Sequence, residues 1–153
     1  KIKLAENPLP KTQSPIGSYL ILKIRGQPAI KGTMTISKQV AKEGFEWDNI
    51  DKVWDKYNEE LNEFKEALDK KNQLHAEEEF GDLLFTLINI ARWHKIDPEE
   101  SLIGTNKRFL ERFSYMESNI NSDFSQQSSK EIENLWKEAK KYFKLKSKRG
   151  QKN

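Results

Sequence analysis

The clearest hydrophobic pattern lies in the middle of the chain. Ile50, Val53, Trp54, Tyr57, Leu61, Phe64 and Leu68 recur at spacings of three and four, one apolar stripe on a helix predicted over 48–69. Lys70, Lys71 and Asn72 break the pattern as a turn. A second helix follows over 73–95, with Phe80, Leu83, Leu84, Leu87, Ile88 and Ala91 expected to face inward. Upstream, 33–43 reads as a shorter helix, capped by Thr33 and stopped by Gly44 just past its end. Downstream, Asp97-Pro98-Glu99-Glu100 opens another: Asp97 caps, Pro98 takes the first helical position and Glu100 completes a capping box. It is expected to end near Ile120. A polar loop over 122–129 leads to a last helix from near Ser129, with Ile132, Leu135, Trp136, Ala139 and Phe143 as its apolar side. From Lys144 the chain becomes a basic run expected to fray. The pattern predicts an all-α helical bundle.

The first 31 residues differ. They hold four of the five prolines and read as a linker or N-terminal arm, within which 19–24 fits a short strand or a short helix equally. The expected organisation is this arm over 1–31, a helical domain over 32–147 and a basic tail over 148–153. The chain opens on Lys1 rather than Met, which suggests a piece of a longer protein. There is no cysteine, so disulfides and thiolate chemistry are excluded. No apolar run approaches the roughly 18 residues of a membrane span. Together these favour a cytoplasmic protein without a membrane partner.

Charge sharpens the picture. Charged residues make up 33% of the chain, and the net +3 conceals segregation: residues 1–45 carry +6, 46–100 carry −9 and 101–153 carry +6. An acidic centre between basic flanks argues against nucleic-acid binding, where one basic face dominates. It suits a cation site with positive groups nearby for an anionic ligand.

The acids are ordered. Glu60 and Glu63 share a face of the 48–69 helix, and Glu79 and Asp82 share a face of the next, each pair at i,i+3. Glu63 lies eight residues before position 71 and Glu79 eight after; Glu60 lies eleven before and Asp82 eleven after. A tight helical hairpin therefore sets Glu63 beside Glu79 and Glu60 beside Asp82. Four like charges so placed repel one another, and a divalent cation removes that cost. Oxygen ligands without His or Cys select Mg²⁺, with Mn²⁺ as a substitute, over Zn²⁺. An acidic string on a helix is otherwise an ordinary solvated face. Against that stands Gly81, which costs about 1 kcal/mol relative to Ala in a helix and suggests close approach of a neighbouring helix or ligand.

Other residues bear on a ligand. Asn89 lies two turns beyond Asp82 and could meet a ligand or tie a buried contact. Lys107, Arg108 and Arg112 form a basic stripe; the two arginines could clamp phosphate or simply face solvent beside Glu111. Trp136 fits a core position or a base-stacking one. His75 and His94 each lack a partner at metal-ligand spacing.

These residues resemble the MazG nucleoside triphosphate pyrophosphohydrolase family over about 28–139. The likeness rests on Gly44-Phe45-Glu46-Trp47, on the E-E-x-x-E of Glu59 to Glu63, and on Glu78-Glu79-Phe80-Gly81-Asp82-Leu83-Leu84-Phe85 with Asn89. It continues through Thr105-Asn106-Lys107-Arg108-Phe109-Leu110-Glu111-Arg112-Phe113 to Leu135-Trp136. The resemblance implies an all-α domain of the second kind found in tandem relatives, completed by homodimerisation. Phe109, Phe113 and Tyr115 also offer more apolar surface than one hairpin covers. The implied activity is hydrolysis of a nucleoside triphosphate to monophosphate and pyrophosphate. The implied metal ligands are Glu60, Glu63, Glu79 and Asp82. Glu60 or Glu63 would take a proton from water, and Glu59 and Glu78 would orient it. Lys107, Arg108, Arg112, Trp136 and Asn89 would contact substrate. Arg108 stands where relatives commonly have Lys, and His75 stands where some place a basic residue. Narrower substrates such as dUTP, dCTP or phosphoribosyl-ATP, and a non-catalytic helical interaction module, are the competing readings.

Overall fold

The computed structural model describes residues 9–151. Six α-helices and one 3-10 turn form, with no strand among the described residues. The helices fall into two compact units, 1–99 and 100–153.

In the first unit, the stretch left open between strand and helix becomes α1 (Pro15–Ile24). Ser14 caps it by accepting from the Gly17 N–H, and Pro15 takes the first position, where a missing N–H costs nothing. α2 (Ala29–Lys42) starts four residues ahead of the expected Thr33, directly after Pro28. Thr33 is thus inside the helix and caps nothing. Gly44 does end it: with φ +96° it lets Phe45 N–H reach Val40 and its own N–H reach Ala41, a Schellman closure.

α3 (Ile50–Asp69) and α4 (Gln73–Trp93) form the expected hairpin. Asn49 caps α3, so the helix begins two residues later than the periodicity predicts. The turn at Lys70–Asn72 serves both helices. Lys71 adopts φ +54°, Asn72 N–H closes on the Ala67 carbonyl, and the Asn72 side chain caps α4 through the His75 N–H. The C-terminus of α4 repeats the device with Lys95 at φ +55° and Ile96 N–H on the Ala91 carbonyl.

The inward face of α4 follows the periodicity at Ile88 and departs from it elsewhere. Its buried residues are Ala76, Glu79, Thr86, Ile88, Asn89 and Ile90, while Phe80, Leu84 and Leu87 are 48%, 44% and 44% exposed. The buried positions of α3 are Val53, Glu60 and Ala67. Small residues and two acids are the buried positions of the seam; Phe80 meets Phe64 of α3 at its edge, ring centres 5.5 Å apart, while Leu84 and Leu87 stay largely exposed. Gly81 serves no close approach among the described residues, since an added Cβ would meet nothing there within 4 Å. α2 packs on α4, joined by a buried polar tie. Ser37 Oγ–H donates to Asn89 Oδ1, and Arg92 Nε donates to Ser37 Oγ at 2.6 Å. Arg92 also pairs with Glu46 at 2.6 Å, holding the 44–47 segment to the end of α4.

The second unit contains most of α5 (Pro98–Ser118), the 3-10 turn Phe124–Gln126, and α6 (Ser129–Gly150). Asp97 accepts from the Glu99 N–H at the start of α5. Ser128 and Glu131 form a capping box on α6. Aromatic pairs bridge α5 and α6: Phe109 with Trp136 at 5.6 Å and Tyr115 with Tyr142 at 4.9 Å between ring centres. The basic run does not fray at Lys144. It continues the helix to Gly150, because lysine is a good helix former and Lys148 and Arg149 sit favourably at the negative end of the helix dipole.

Candidate metal centre

The hairpin determines where the acids meet. Ala67 and Ala76 are the buried residues nearest the turn, and the next buried positions outward are Glu60 and Glu79. One oxygen each of Glu60, Glu79 and Asp82 lies within 4.8 Å of the others. Glu60 is 4% exposed and Glu79 9%, whereas Asp82 opens to solvent. Among the described residues, the Oε2 atoms of both glutamates are buried without a hydrogen-bond partner. Burying a carboxylate oxygen unpaired is costly, so the arrangement suits a cation that supplies the missing contacts.

The electrostatics agree. Burial pushes the Glu79 carboxyl above its usual range; the negative charge of Glu63, a side-chain hydrogen bond with Glu60 and the charge of Glu60 push it further, with His75 opposing. His75 Nε2 lies 3.5 Å from Glu79, and its Nδ1 lies 3.8 Å from Glu78. Glu60 has a different neighbour. Lys56, one turn earlier on α3, places Nζ 2.6 Å from Glu60 Oε1 and 3.3 Å from Glu59. The Glu60 carboxylate in turn holds the Lys56 ammonium above its ordinary pKa. The sequence signal that points to Lys56 is its i,i+4 relation to Glu60.

The remaining residues divide. Glu63 stays outside the tight trio, half-buried, yet near enough to act on Glu79 by its charge. Glu59 pairs with Lys56, and Glu78 is exposed beside His75. Asn89 is the clearest correction. It is 2% exposed, with Oδ1 accepting from Ser37 and Nδ2 donating to the Phe85 carbonyl, so it ties α2 to α4 from within the chain.

In the second unit, Lys107 is exposed and Arg108 donates to Thr105 Oγ1 at 3.0 Å. Arg112 lies over the Trp136 ring at 5.5 Å, and the same indole meets Phe109 at 5.6 Å between ring centres. A groove of about 560 Å³ is lined by Arg108, Arg112, Lys140, Lys144, Lys146 and Phe143, among others. Five cations around one concavity suit a phosphate-bearing ligand.

Comparison with known proteins gives this arrangement a family. Residues 50–114 match the MazG nucleotide pyrophosphohydrolase domain, a stretch that contains all four acids and both arginines. The nucleoside triphosphate pyrophosphohydrolase/pyrophosphatase MazG of Thermotoga maritima is 36% identical over 116 residues, covering 74% of this chain and 44% of its own length. The nucleoside triphosphate pyrophosphohydrolase of Escherichia coli K12 is 30% identical over 124 residues, covering 76% of this chain and 46% of its own. A Bacillus subtilis protein, YabN, is 46% identical over 65 residues, which is 40% of this chain and 13% of that protein. The chain thus spans just under half the length of the two pyrophosphohydrolases it matches. Through the domain at 50–114, the chain belongs to the MazG family.

Proposed function

We infer that the protein hydrolyses nucleoside triphosphates between the α- and β-phosphates, using a divalent cation, Mg²⁺ or Mn²⁺, held at the α3–α4 seam. The observation that carries this reading is the pair of buried, unpartnered oxygens on Glu60 and Glu79 within a three-carboxylate cluster. Both pyrophosphohydrolase relatives are named for the same reaction class. The donor set is all oxygen, which suits a hard cation. Glu60, Glu79 and Asp82 would hold it, with Glu63 as a fourth ligand or as the base. A bound divalent cation offsets the negative charge of the triphosphate.

The chain's own groups supply the rest. Glu63, half-buried at the edge of the cluster, takes the proton of the attacking water on a carboxylate oxygen. Glu59 and Glu78 orient that water from the two helices. Lys107, Arg108 and Arg112 hold the departing pyrophosphate, and Trp136 serves the nucleotide end, roles that rest on the family resemblance. Asn89 is left out, because its polar atoms are already used.

Homodimerisation belongs to the same reading. Phe80, Leu84 and Leu87 on α4 leave an apolar stripe exposed, as do Ile103, Phe109, Leu110 and Phe113 on α5. Stripes of this kind on a soluble domain mark a protein contact, and a second copy is the proposed occupant. No described helix is long and apolar enough to cross a membrane, and the nucleotide pool of the cytoplasm is the proposed setting.

The test is hydrolysis of a panel of ribo- and deoxyribonucleoside triphosphates with Mg²⁺ in ¹⁸O-labelled water. The expected products are labelled monophosphate and unlabelled pyrophosphate. Diphosphate with orthophosphate would refute the cleavage position, and label in the pyrophosphate would refute attack at the α-phosphorus. The panel, with dUTP, dCTP and phosphoribosyl-ATP included, reads base selectivity directly.

A further inference from the structure

The seam holds a cation already. Lys56 Nζ lies 2.6 Å from Glu60 Oε1, and the Glu60 side chain is only 6% exposed while that of Lys56 is 39% exposed. The ammonium therefore enters from the solvent edge and contacts one oxygen of the most buried acid in the cluster. The other oxygen, Oε2, has no hydrogen-bond partner. Lys56 has a second acceptor as well. Glu59, whose side chain is 55% exposed, lies 3.3 Å away and is outside the carboxylate trio. One lysine thus stands between a buried acid of the cluster and an exposed acid beside it.

We propose that Lys56 is a placeholder cation that occupies Glu60 in the metal-free protein and withdraws to Glu59 when a divalent cation enters the seam. The proposal rests on the metal reading given above and adds a residue which sets how tightly the metal binds. Three physical points support it. A buried carboxylate without a counter-charge is costly, so a metal-free seam needs a substitute. A positive ammonium in contact with a ligand oxygen repels an incoming cation and must give up a charge-assisted hydrogen bond, which weakens apparent metal affinity. The withdrawal is short, because the Glu59 contact already exists and both acids lie within one turn of Lys56. Lys56 is a positioning residue in this account. It maintains Glu60 when the metal is absent and sets the metal concentration at which the seam fills.

The experiment is calorimetric titration of the full chain with Mg²⁺ and with Mn²⁺, without nucleotide. Lys56→Gln is expected to bind at least about fivefold more tightly than wild type with unchanged stoichiometry, the order expected from removing one competing charge-assisted contact. Lys56→Arg, which keeps the charge and reach, is expected to stay near wild type. Lys52→Gln, one turn earlier, removes the same charge without the contact and is expected to move affinity much less. Equal gains from Lys52→Gln and Lys56→Gln would reduce the effect to net charge and overturn the proposal, as would wild-type affinity in Lys56→Gln. Absence of metal binding by wild type would instead overturn the metal reading and this proposal with it. A second readout does not depend on any variant. The Lys56 side-chain ammonium signal in ¹⁵N NMR is expected to be protected from exchange in EDTA and to lose protection as Mg²⁺ is added. Retained protection at saturating Mg²⁺ would also overturn the proposal.

Discussion

Replacing Asp82 by Asn removes one charge from the carboxylate trio while keeping its shape. Its oxygen lies within 4.8 Å of oxygens on both Glu60 and Glu79. At that separation two unit charges repel by about 3.5 kcal/mol at an effective dielectric of 20 and about 0.9 kcal/mol in bulk water. Asp82 is exposed, so the lower end applies, and the metal-free variant should gain about 1 kcal/mol. In a domain of this size that corresponds to a rise in Tm of about 2–4 °C. The sign reverses with metal. Wild type should be stabilised by about 1.4 kcal/mol at a Mg²⁺ concentration ten times its Kd, by mass action on the folded state. The variant, short of one ligand, should lose most of that increment. Thermal unfolding followed by circular dichroism in EDTA and in a Mg²⁺ series gives both numbers. A variant less stable than wild type in EDTA would contradict the repulsion argument. One that keeps the full Mg²⁺ increment would remove Asp82 from the ligand set.

Three further outcomes follow from particular contacts. Glu79 binds its proton more tightly when folded than its ordinary 4.5, so it favours the folded state at low pH and that contribution is lost as pH rises from about 4.5 through its raised value. In EDTA, wild type should therefore lose stability relative to Glu79→Gln as pH rises through that window; a difference constant with pH would refute the raised value. Ser37→Ala strips partners from Asn89 Oδ1 and Arg92 Nε, and should cost about 1–3 kcal/mol in urea unfolding; a change under about 0.5 kcal/mol would mean that the tie is not needed. Lys95→Gly relieves a positive φ at the end of α4 and should stabilise by about 0.5–1 kcal/mol; a loss of stability would show that the lysine side chain outweighs its backbone strain.

The hairpin was legible because its determinants are local. The Lys70–Asn72 turn and the i,i+3 acids are short-range patterns, and a hairpin centred near residue 71 brings Glu60, Glu79 and Asp82 together by arithmetic. The direction of the α4 faces was not legible. Phe80, Leu84 and Leu87 have the periodicity of a core face, but periodicity records only that a face is apolar, not whether it meets the same chain or another. Glu60 and Glu79 are buried in the seam while Phe80 is held at its edge against Phe64, which no hydrophobicity pattern anticipates. The buried tie of Asn89 has no local signal, because its partner, Ser37, lies 52 residues away on α2 and nothing within α4 points to it. The early start of α2 and the helical continuation past Lys144 were missed for a simpler reason. Weak caps and a charged terminal run give little local signal, although the lysines themselves favour helix. The 1–8 portion of the expected arm and the last two residues of the basic tail lie outside the described residues.

The account turns on whether the α3–α4 seam holds a metal. An anomalous difference map from crystals grown with Mn²⁺ tests this most directly. If the seam holds a metal, a strong peak is expected at about 2.2 Å from carboxylate oxygens of Glu60, Glu79 and Asp82, the distance range of hard-cation coordination. A Mn²⁺ peak elsewhere on the chain, with none between these three residues, would contradict it.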